Sequence, residues 1–554
     1  MAIKLTGGTV YDPAHQVDGE NKDLYIVNGK LQTALSDKDK LDQTIDLKDC
    51  IVMAGAIDLH THIGGGKVNI ARTMMLEDQH AHPHMGTEIM RAGNGHIVPS
   101  TFSAGYRYAE MGYTACFEPA VLPVNARQAH MEMADTPMVD KGGYALLGND
   151  DFLLNMIREG ATQNSINDYV AWLLNATQCI GIKVVNAGGI HAFKYNQRRL
   201  DIDETGPTGS NARQIIATLS KAVHELGIAH PLHVHASNLG VPGNFASTLA
   251  TMAAADGLPI HLTHIQFHSY GMEGDRKFSS AACEIAEAIN KNKNVSADVG
   301  QIMFGQTITT SGDTMMQYFG HDHASPKKWT LMDIECEAGC GVIPFKYKDK
   351  SFVNALQWAI GLEIFLQVND PWRVFLTTDH PNGAPFTSYP HLIKLLMDRS
   401  FRNDVLKMFP VDAQKATNLA AMDREYSLYE IAIMTRAAPA KILGLSDHGH
   451  LGEGANANIT IYRKQDDIEQ MFAKPAYVFK NGTLIVKDGE IVETVKGITH
   501  VVKPEYDKAI EKPLKKYFDD YQTIAFNNFK ISNDEMVECI GNEIEVHPTT
   551  NANN

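Results

Sequence analysis

Hydrophobic and polar residues alternate in short runs at both ends of the chain. The runs "KDLYIVNGKLQT" near the start and "AYVFKNGTLIVKDGEIVE" near residue 480 have the period of two that is typical of half-buried strands. Turn signals interrupt these runs at Asn28-Gly29, Asn481-Gly482 and Asp488-Gly489. We therefore predict β-structure in residues 1–52 and 436–502, and we expect the two segments to pair into one small β-domain.

Between these ends, short apolar runs alternate with longer stretches of helical periodicity, such as "ARQIIATLSKAVHELG". This alternation predicts βα units and a parallel sheet. It favours an α/β protein with a (β/α)8 TIM-like barrel in residues 53–435. A doubly wound sheet is the alternative, although no G-x-G-x-x-G follows the first strand. The eight predicted strands are 50–60, 112–119, 143–149, 181–186, 231–237, 259–265, 294–300 and 372–380.

Three segments lie outside this repeat. The connections 61–111 and 301–371 are long, and long loops on a barrel are often functional. Residues 503–554 form a polar C-terminal extension, and we expect this tail to be frayed.

Charge and composition narrow the classes of partner. The chain has 554 residues and a net charge of −16, which argues against binding of nucleic acid or of an anionic membrane surface. No apolar run approaches the roughly 18 residues of a membrane-spanning helix, and no signal-peptide pattern is present. Seven scattered cysteines are typical of reduced thiols, and Cys336 with Cys340 lacks the second pair that a metal site needs. We expect a cytoplasmic protein.

Residues able to bind metal ions lie near the ends of the predicted strands. His60 and His62 are two positions apart, so an extended chain points both side chains to one face. A single pair of this kind is weak evidence for a metal site, but here such residues occur on strand after strand. Active sites of barrels lie at the C-terminal ends of the strands, so the pattern predicts a metal centre there. The set comprises His60, His62, Lys183, His233, His235, His261, His264, Asp379 and His380.

The strings "AIDLHTHIG", "VHAS", "LTH" and "TTDHP", with a lysine in the fourth strand, resemble the amidohydrolase superfamily. In its hydantoinase-like branch, that lysine reacts with CO₂ and the resulting carbamate bridges two divalent ions. The resemblance therefore implies a carboxylated Lys183, which would remove the cost of burying its positive charge. His233 shares a face with His235, and the choice between them stays open. The implied ligands of the two ions, expected to be Zn²⁺, are His60, His62, Lys183, His235, His264 and Asp379.

Longer strings narrow the resemblance. "HIGGGKVNIAR", "GIKVVNAGG", "HLTHIQFHSYG" and "TTDHPNGAPF" are similar to the family formed by the A subunits of formylmethanofuran dehydrogenases and of bacterial formyltransferase/hydrolase complexes. The similarity covers about residues 2–500 and implies a β-sandwich built from both chain ends. It implies hydrolysis, or in reverse formation, of the N-formyl amide of formylmethanofuran or formylmethylofuran, with formate and the free amine as products. The implied partners are the other subunits of such a complex, of archaeal or bacterial type.

The resemblance also implies roles for individual residues. Asp379 would carry the proton from an activated water to the leaving amine. Several polar residues near the strand ends are candidates for substrate contacts, and each could instead brace its own loop. Lys67 and Arg72 could meet an acidic tail of the carrier. The complete set of candidates is Asn238, His268, Tyr270, Asn382, Lys67 and Arg72.

Two other functions remain as alternatives. A cyclic-amide hydrolase of the dihydropyrimidinase or hydantoinase type would use the same metals with a different pocket. A non-catalytic scaffold would keep the barrel for assembly, although such proteins lose ligands and this chain has the full set. The sequence has no iron–sulfur spacing, so any redox chemistry would belong to the partner subunits.

Overall fold

The computed structural model describes residues 2–36, 40–334 and 338–549. Eight parallel strands pair in the chain order that the sequence predicts. A bridge between Thr61 and His380 joins the end of the last strand to the end of the first. The predicted barrel is therefore confirmed. Its strands are Ala56–Asp58, Tyr113–Val121, Asp140–Leu146, Gly181–Val185, Leu232–His235, Ile260–Leu262, Val295–Asp298 and Val374–Phe375.

Helices connect successive strands of the barrel. Ala212–Glu225 coincides with the predicted "ARQIIATLSKAVHELG", buries Ile215, Ile216 and Leu219, and begins with a capping box at Asn211. Its buried face joins the barrel core. The other helices before strand eight are Gly66–Met74, Leu76–Ala81, Thr101–Glu110, Ala126–Ala134, Asp151–Arg158, Gln163–Thr177, Gly189–Lys194, Phe245–Ala254, Ala282–Lys291, Thr314–Gly320 and Phe352–Gln367. Those between strand eight and the small β-domain are Tyr389–Met397, Arg399–Lys407, Val411–Lys415, Leu428–Ala432 and Ala438–Leu443.

The two ends of the chain form one nine-stranded sheet, as predicted. Cys50–Ala54 joins the ends, because it pairs with Ala2–Asp12 on one side and with Ile459–Arg463 on the other. All three predicted turns have two consecutive residues at positive φ, such as Asn28 (48°) and Gly29 (84°). The remaining strands are Val17–Val27, Lys30–Gln32, Gln43–Asp46, Tyr477–Lys480, Thr483–Lys487 and Glu490–Ile491, and the helix Ile468–Ala473 lies between two of them.

One predicted strand is two strands in different sheets. The apolar run 50–60 divides at Gly55, so that Cys50–Ala54 belongs to the small sheet and Ala56–Asp58 to the barrel. A Cβ atom at Gly55 would overlap the side chain of Thr114, so the close packing of this side chain on the backbone requires glycine there. The small sheet therefore extends two residues beyond the predicted boundary at residue 52.

The expectation of a frayed tail is wrong for residues 503–549. The helices Glu511–Tyr521 and Phe526–Phe529 place three phenylalanines against the buried Trp172. Phe526 and Phe529 each stack on Trp172, with 5.6 Å between the ring centroids in both pairs. Thr499–Val502 pairs with barrel strand three, and Ile544–His547 pairs with Thr499–Val502. The extension is thus part of the folded barrel domain, and residues 550–554 lie outside the described residues.

The long connection between strands seven and eight contains a sheet of its own. Its strands Gly305–Ser311, Thr330–Ile334 and Ala338–Tyr347 are antiparallel, and the helix Thr314–Gly320 packs against the last of them. Cys340 lies in this sheet, whereas Cys336 lies outside the described residues. None of the helices in the described ranges combines the length and hydropathy that a bilayer-spanning segment needs.

Candidate metal centre

The six residues that the resemblance implies as metal ligands line one cavity at the C-terminal ends of the barrel strands. The cavity has a volume of about 420 Å³. Each of the six residues is at most 5 % exposed. Their convergence follows from the parallel strands, because the ends of such strands meet at one side of a barrel. The six residues are His60, His62, Lys183, His235, His264 and Asp379.

Asp379 lies between the two histidines of the first strand. Its Oδ1 atom is 2.9 Å from His60 Nε2 and 3.5 Å from His62 Nε2. Burial alone would raise the pKa of Asp379, but the neighbouring imidazoles of His264 and His60 hold it well below its usual value. Ligand-type atoms of His60, His264 and Asp379 lie within 4.8 Å of one another, a spacing that one metal ion could span.

A second group of imidazoles surrounds His264. Its ring centroid is 4.6 Å from that of His235 and 5.3 Å from that of His268. His264 Nδ1 and both ring nitrogens of His268 are buried without a hydrogen-bond partner in the described ranges. Buried polar atoms without partners are costly, and a metal ion would satisfy such nitrogens. The chemistry of this donor set fits a divalent ion.

Lys183 occupies the middle of the fourth strand and is 2 % exposed. Burial lowers the pKa of its amine to about 7, against the opposing influence of Asp298 and Asp379. Among the residues that the structure describes, Lys183 has no hydrogen-bond or ion-pair partner. Burial therefore favours the uncharged form of this amine, which is the form that can react with CO₂.

The backbone is strained at two of the six positions. His264 has a φ of 36° and Asp379 a φ of 50°, both in the left-handed region that non-glycine residues seldom adopt. Each such residue costs of the order of 1–2 kcal/mol. His264 lies two residues beyond the end of strand six and Asp379 four residues beyond the end of strand eight, and both side chains line the cavity. Strain of this kind is concentrated at functional sites.

Two carboxylates behind the histidines were not among the predicted site residues. Glu118, on strand two, accepts a hydrogen bond from His62 Nδ1 at 2.9 Å and from the amide of Ile63 at 2.8 Å. Asp298, at the end of strand seven, lies 3.4 Å from His60 Nδ1 and accepts from the amide of His264 at 2.8 Å. Their sequence signal is an acidic residue in an otherwise apolar strand, in "CFEPA" and "VSADVG".

His233 takes a different position from His235. One of its ring nitrogens is 2.8 Å from His60 Nδ1 and the other is 2.9 Å from His230 Nε2. Both nitrogens are thus occupied within the protein, and His233 does not line the cavity. His235 does line it. The geometry favours His235 as the strand-five ligand and His233 as the partner that orients His60.

Two of the predicted substrate contacts reach the cavity. Asn382 lines it and donates a hydrogen bond to Asp379 Oδ1 at 3.0 Å. Lys67 also lines it, and its Nζ is buried without a partner in the described part of the chain. Burial lowers the pKa of Lys67. The other cavity walls are largely apolar and include Leu239, Phe267, Met316, Phe319, Phe345 and Tyr347.

The other four candidates lie outside the cavity lining, and two of them brace loops. Arg72 donates to Glu132 at 3.1 Å and to the carbonyl of Ile63 at 2.8 Å. Asn238 donates to Asp201 at 2.9 Å. The remaining two are buried beside the cavity: Tyr270 accepts from the cavity residue Gln357, and His268 packs on His235 and His264.

Comparisons with known proteins agree with this geometry. The profile of a family described as "Amidohydrolase family" matches residues 43–493. The A subunit of the formyltransferase/hydrolase complex Fhc of Methylorubrum extorquens is 41 % identical over 551 residues, which cover 98 % of both chains. Protein FwdA of Methanocaldococcus jannaschii is 40 % identical over 558 residues, which cover 96 % of this chain and 97 % of the relative.

A solved structure shows the same fold. The crystal structure of the formyltransferase/hydrolase complex FhcABCD from Methylorubrum extorquens, determined with methylofuran, contains a chain that superposes with a TM-score of 0.93. The two chains are 40 % identical, and the superposition covers 99 % of this chain and 100 % of that one. The similarity therefore includes the small β-domain and the C-terminal extension.

Proposed function

This chain belongs to the amidohydrolase family, and from that premise we propose that it hydrolyses, or in reverse forms, the N-formyl amide of a formylmethanofuran-type carrier. The products of hydrolysis are formate and the free amine. One observation carries the proposal: six ligand-type residues converge on one cavity in a chain that is 41 % identical, over 98 % of its length, to a protein of a formyltransferase/hydrolase complex. The reaction belongs to the hydrolases that act on carbon–nitrogen bonds.

The donor set supports a pair of divalent ions, with zinc as the expected metal. His60, His62 and Asp379 would hold one ion, and His235 and His264 the other. A carboxylated Lys183 would bridge the two, because the carbamate gives the buried amine a negative charge and two oxygen donors. When bound, such ions supply an activated water and polarise a carbonyl oxygen.

The residues of the chain then perform the proton transfer and the positioning. Asp379 is the general base and acid: it takes a proton from the attacking water and delivers it to the nitrogen of the leaving amine. Its depressed pKa keeps it ionised before the reaction. Asn382 holds the carboxylate in place through its hydrogen bond to Oδ1. The apolar cavity walls exclude bulk water from this transfer.

The chain would act in the cytoplasm as one component of a larger complex. The relative from Methylorubrum extorquens belongs to a formyltransferase/hydrolase complex, and the solved structure of that complex includes methylofuran. The direction of the reaction would depend on the partner subunits and on the supply of formate, because an enzyme does not change the equilibrium.

A substrate assay on the purified complex that contains the full chain tests this function. The formylated furan-methylamine carrier should release formate, whereas dihydrouracil should remain unchanged, and Asp379→Asn is the inactive control. Hydrolysis of dihydrouracil without formate release would instead identify a cyclic-amide hydrolase. Failure on both substrates, in a complex in which this chain holds no metal, would identify a scaffold. Molybdenum or tungsten in the complex would mark the dehydrogenase type.

A further inference from the structure

The insert between strands seven and eight forms one wall of the cavity. Thr309, Thr310, Met316 and Phe319 of this segment all line the cavity. Its strands pair with one another, and the sheet also packs against the helix Gly66–Met74. A wall of this kind must be fixed to the barrel if the cavity is to keep its shape.

Asp313 makes one of the connections between the insert and the barrel. Its side chain is 1 % exposed and caps the helix Thr314–Gly320, with Oδ1 accepting from the amide of Met316 at 3.2 Å. The same oxygen accepts from Asn186 Nδ2 at 3.1 Å, just after strand four. The other oxygen, Oδ2, accepts from His235 Nε2 at 3.0 Å. One carboxylate thus contacts the insert, the end of strand four and the end of strand five.

The contact with His235 determines which ring nitrogen is free. A carboxylate oxygen can only accept, so the hydrogen of the His235 imidazole must lie on Nε2. A metal-binding imidazole has to offer an unprotonated nitrogen. With Nε2 committed to Asp313, that nitrogen is Nδ1. Carboxylates that fix a ligating histidine in this way orient the ring and raise its basicity.

We propose that Asp313 is a positioning residue that fixes the His235 tautomer and ties the cavity wall to the metal subsite of His235 and His264. Binding of metal at this subsite and order in the insert then support each other. The inference rests on the proposed metal centre. It adds that a residue of the insert, which is not itself a ligand, controls one of the two metal affinities.

Asp313→Ser is the sharpest variant. Serine keeps the helix cap, because it is among the preferred N-cap residues, but it is too short to reach His235. Asp313→Asn is the milder variant, because its amide oxygen can still accept from Nε2 but lacks the charge. Asn186→Gly is the matched control: it removes a neighbouring contact to the same carboxylate, and glycine tolerates the φ of 42° at this position.

The measurement is the affinity for Zn²⁺ and Co²⁺ of the full chain in its complex, from chelator competition and from the visible spectrum of bound Co²⁺. In Asp313→Ser we expect the metal affinity of one of the two sites to fall by about 10- to 100-fold. The affinity should fall less in Asp313→Asn, and by less than about threefold in Asn186→Gly. The Co²⁺ spectrum should change at the weakened site only.

Three outcomes would overturn the inference. Unchanged affinity at both sites in Asp313→Ser would show that the hydrogen bond does not control metal binding. An equal loss in Asn186→Gly would show that loop order alone matters. A wild-type chain that binds no metal would remove the proposed function as well, and this result is distinguishable because it appears without any substitution.

Discussion

Lys183 is the residue on which the proposed centre depends most. If its carbamate bridges the two ions, Lys183→Ala removes an oxygen donor from each of them, and we expect both ions to be lost. Short carboxylic acids should restore part of the metal content by filling the same space. Elemental analysis of the purified variant measures the result.

Lys67 offers a matched control for this experiment. It is also a buried lysine of the same cavity, but it is not a predicted ligand. Lys67→Met should therefore keep both ions. A Lys183→Ala protein with its full metal content would contradict the bridging role.

Asp379 should be required for turnover more than for metal content. Asp379→Asn keeps the shape and one ligating oxygen but cannot carry a proton, so we expect at least one ion to remain and the rate to fall by about 10²- to 10⁴-fold. Formate release by the complex gives the rate. Asp201→Asn, which changes a carboxylate that contacts Asn238 at 2.9 Å, is the control and should keep its rate. Retained turnover in Asp379→Asn would remove the proton-transfer role.

Sequence patterns locate side chains on strand ends better than side chains on loops. The six implied ligands all reach the cavity, because a parallel barrel brings every strand end to one side whatever the loops do. Arg72 and Asn238 do not reach it, since loop paths decide where their side chains lie. Asp313 looks like an ordinary helix cap in "SGDTMM", and only its distance to His235 shows a second contact.

Among the structural elements, the small β-domain, barrel strand three and the C-terminal strand meet at a second polar cluster. Asp140 begins strand three and forms ion pairs with the buried Lys480 and, at 3.2 Å, with His448. His500 lies 3.9 Å from the same carboxylate. The donor types resemble a metal site, but the Lys480 ammonium already supplies a cation at Asp140. We therefore interpret the cluster as a connection between the elements.

This interpretation predicts how stability depends on Asp140. Burial alone would raise its pKa, but Lys480 and His448 hold the pKa well below the usual value. A depressed carboxylate pKa contributes stability above the unfolded-state pKa of about 4, and that contribution is lost as the pH falls below it. Asp140→Asn leaves Lys480 without its charged partner and should cost about 3–5 kcal/mol at pH 7.

Chemical denaturation at several pH values tests the prediction. The difference in the free energy of unfolding between wild type and Asp140→Asn should narrow as the pH is lowered from about 5 toward 3. Lys394→Met breaks a surface ion pair with Asp467 and should cost less than about 1 kcal/mol. If this difference did not depend on pH, packing and not charge would explain the lower stability of Asp140→Asn.

The order of elements could be predicted, but their division between sheets could not. Alternation and turn residues located the strands, since these signals are local. The run 50–60 reads as one strand because hydrophobicity does not show that Gly55 marks a change of sheet. The C-terminal extension looks polar, and its few aromatic residues matter only through contact with Trp172, about 350 residues away in sequence. Long-range packing of this kind leaves no periodic signal.

For the whole molecule, metal binding should be coupled to folding. The six implied ligands come from strands one, four, five, six and eight, so they are close together only in the folded barrel. An ion that binds the folded state stabilises it by about 4 kcal/mol when its free concentration is 1,000 times the dissociation constant. We therefore expect chelation to lower the melting temperature and added Zn²⁺ to raise it again in proportion to the logarithm of its concentration.

The ligand variants separate this coupling from non-specific effects of metal. Lys183→Ala should melt at the same temperature with and without Zn²⁺, because its sites are lost, whereas Lys67→Met should respond as the wild type does. Differential scanning calorimetry of the full chain gives both values. An equal response to Zn²⁺ in Lys183→Ala would show that the ion binds elsewhere. The implied ligands come from five strands, so loss of the proposed bridging side chain should weaken binding at this centre.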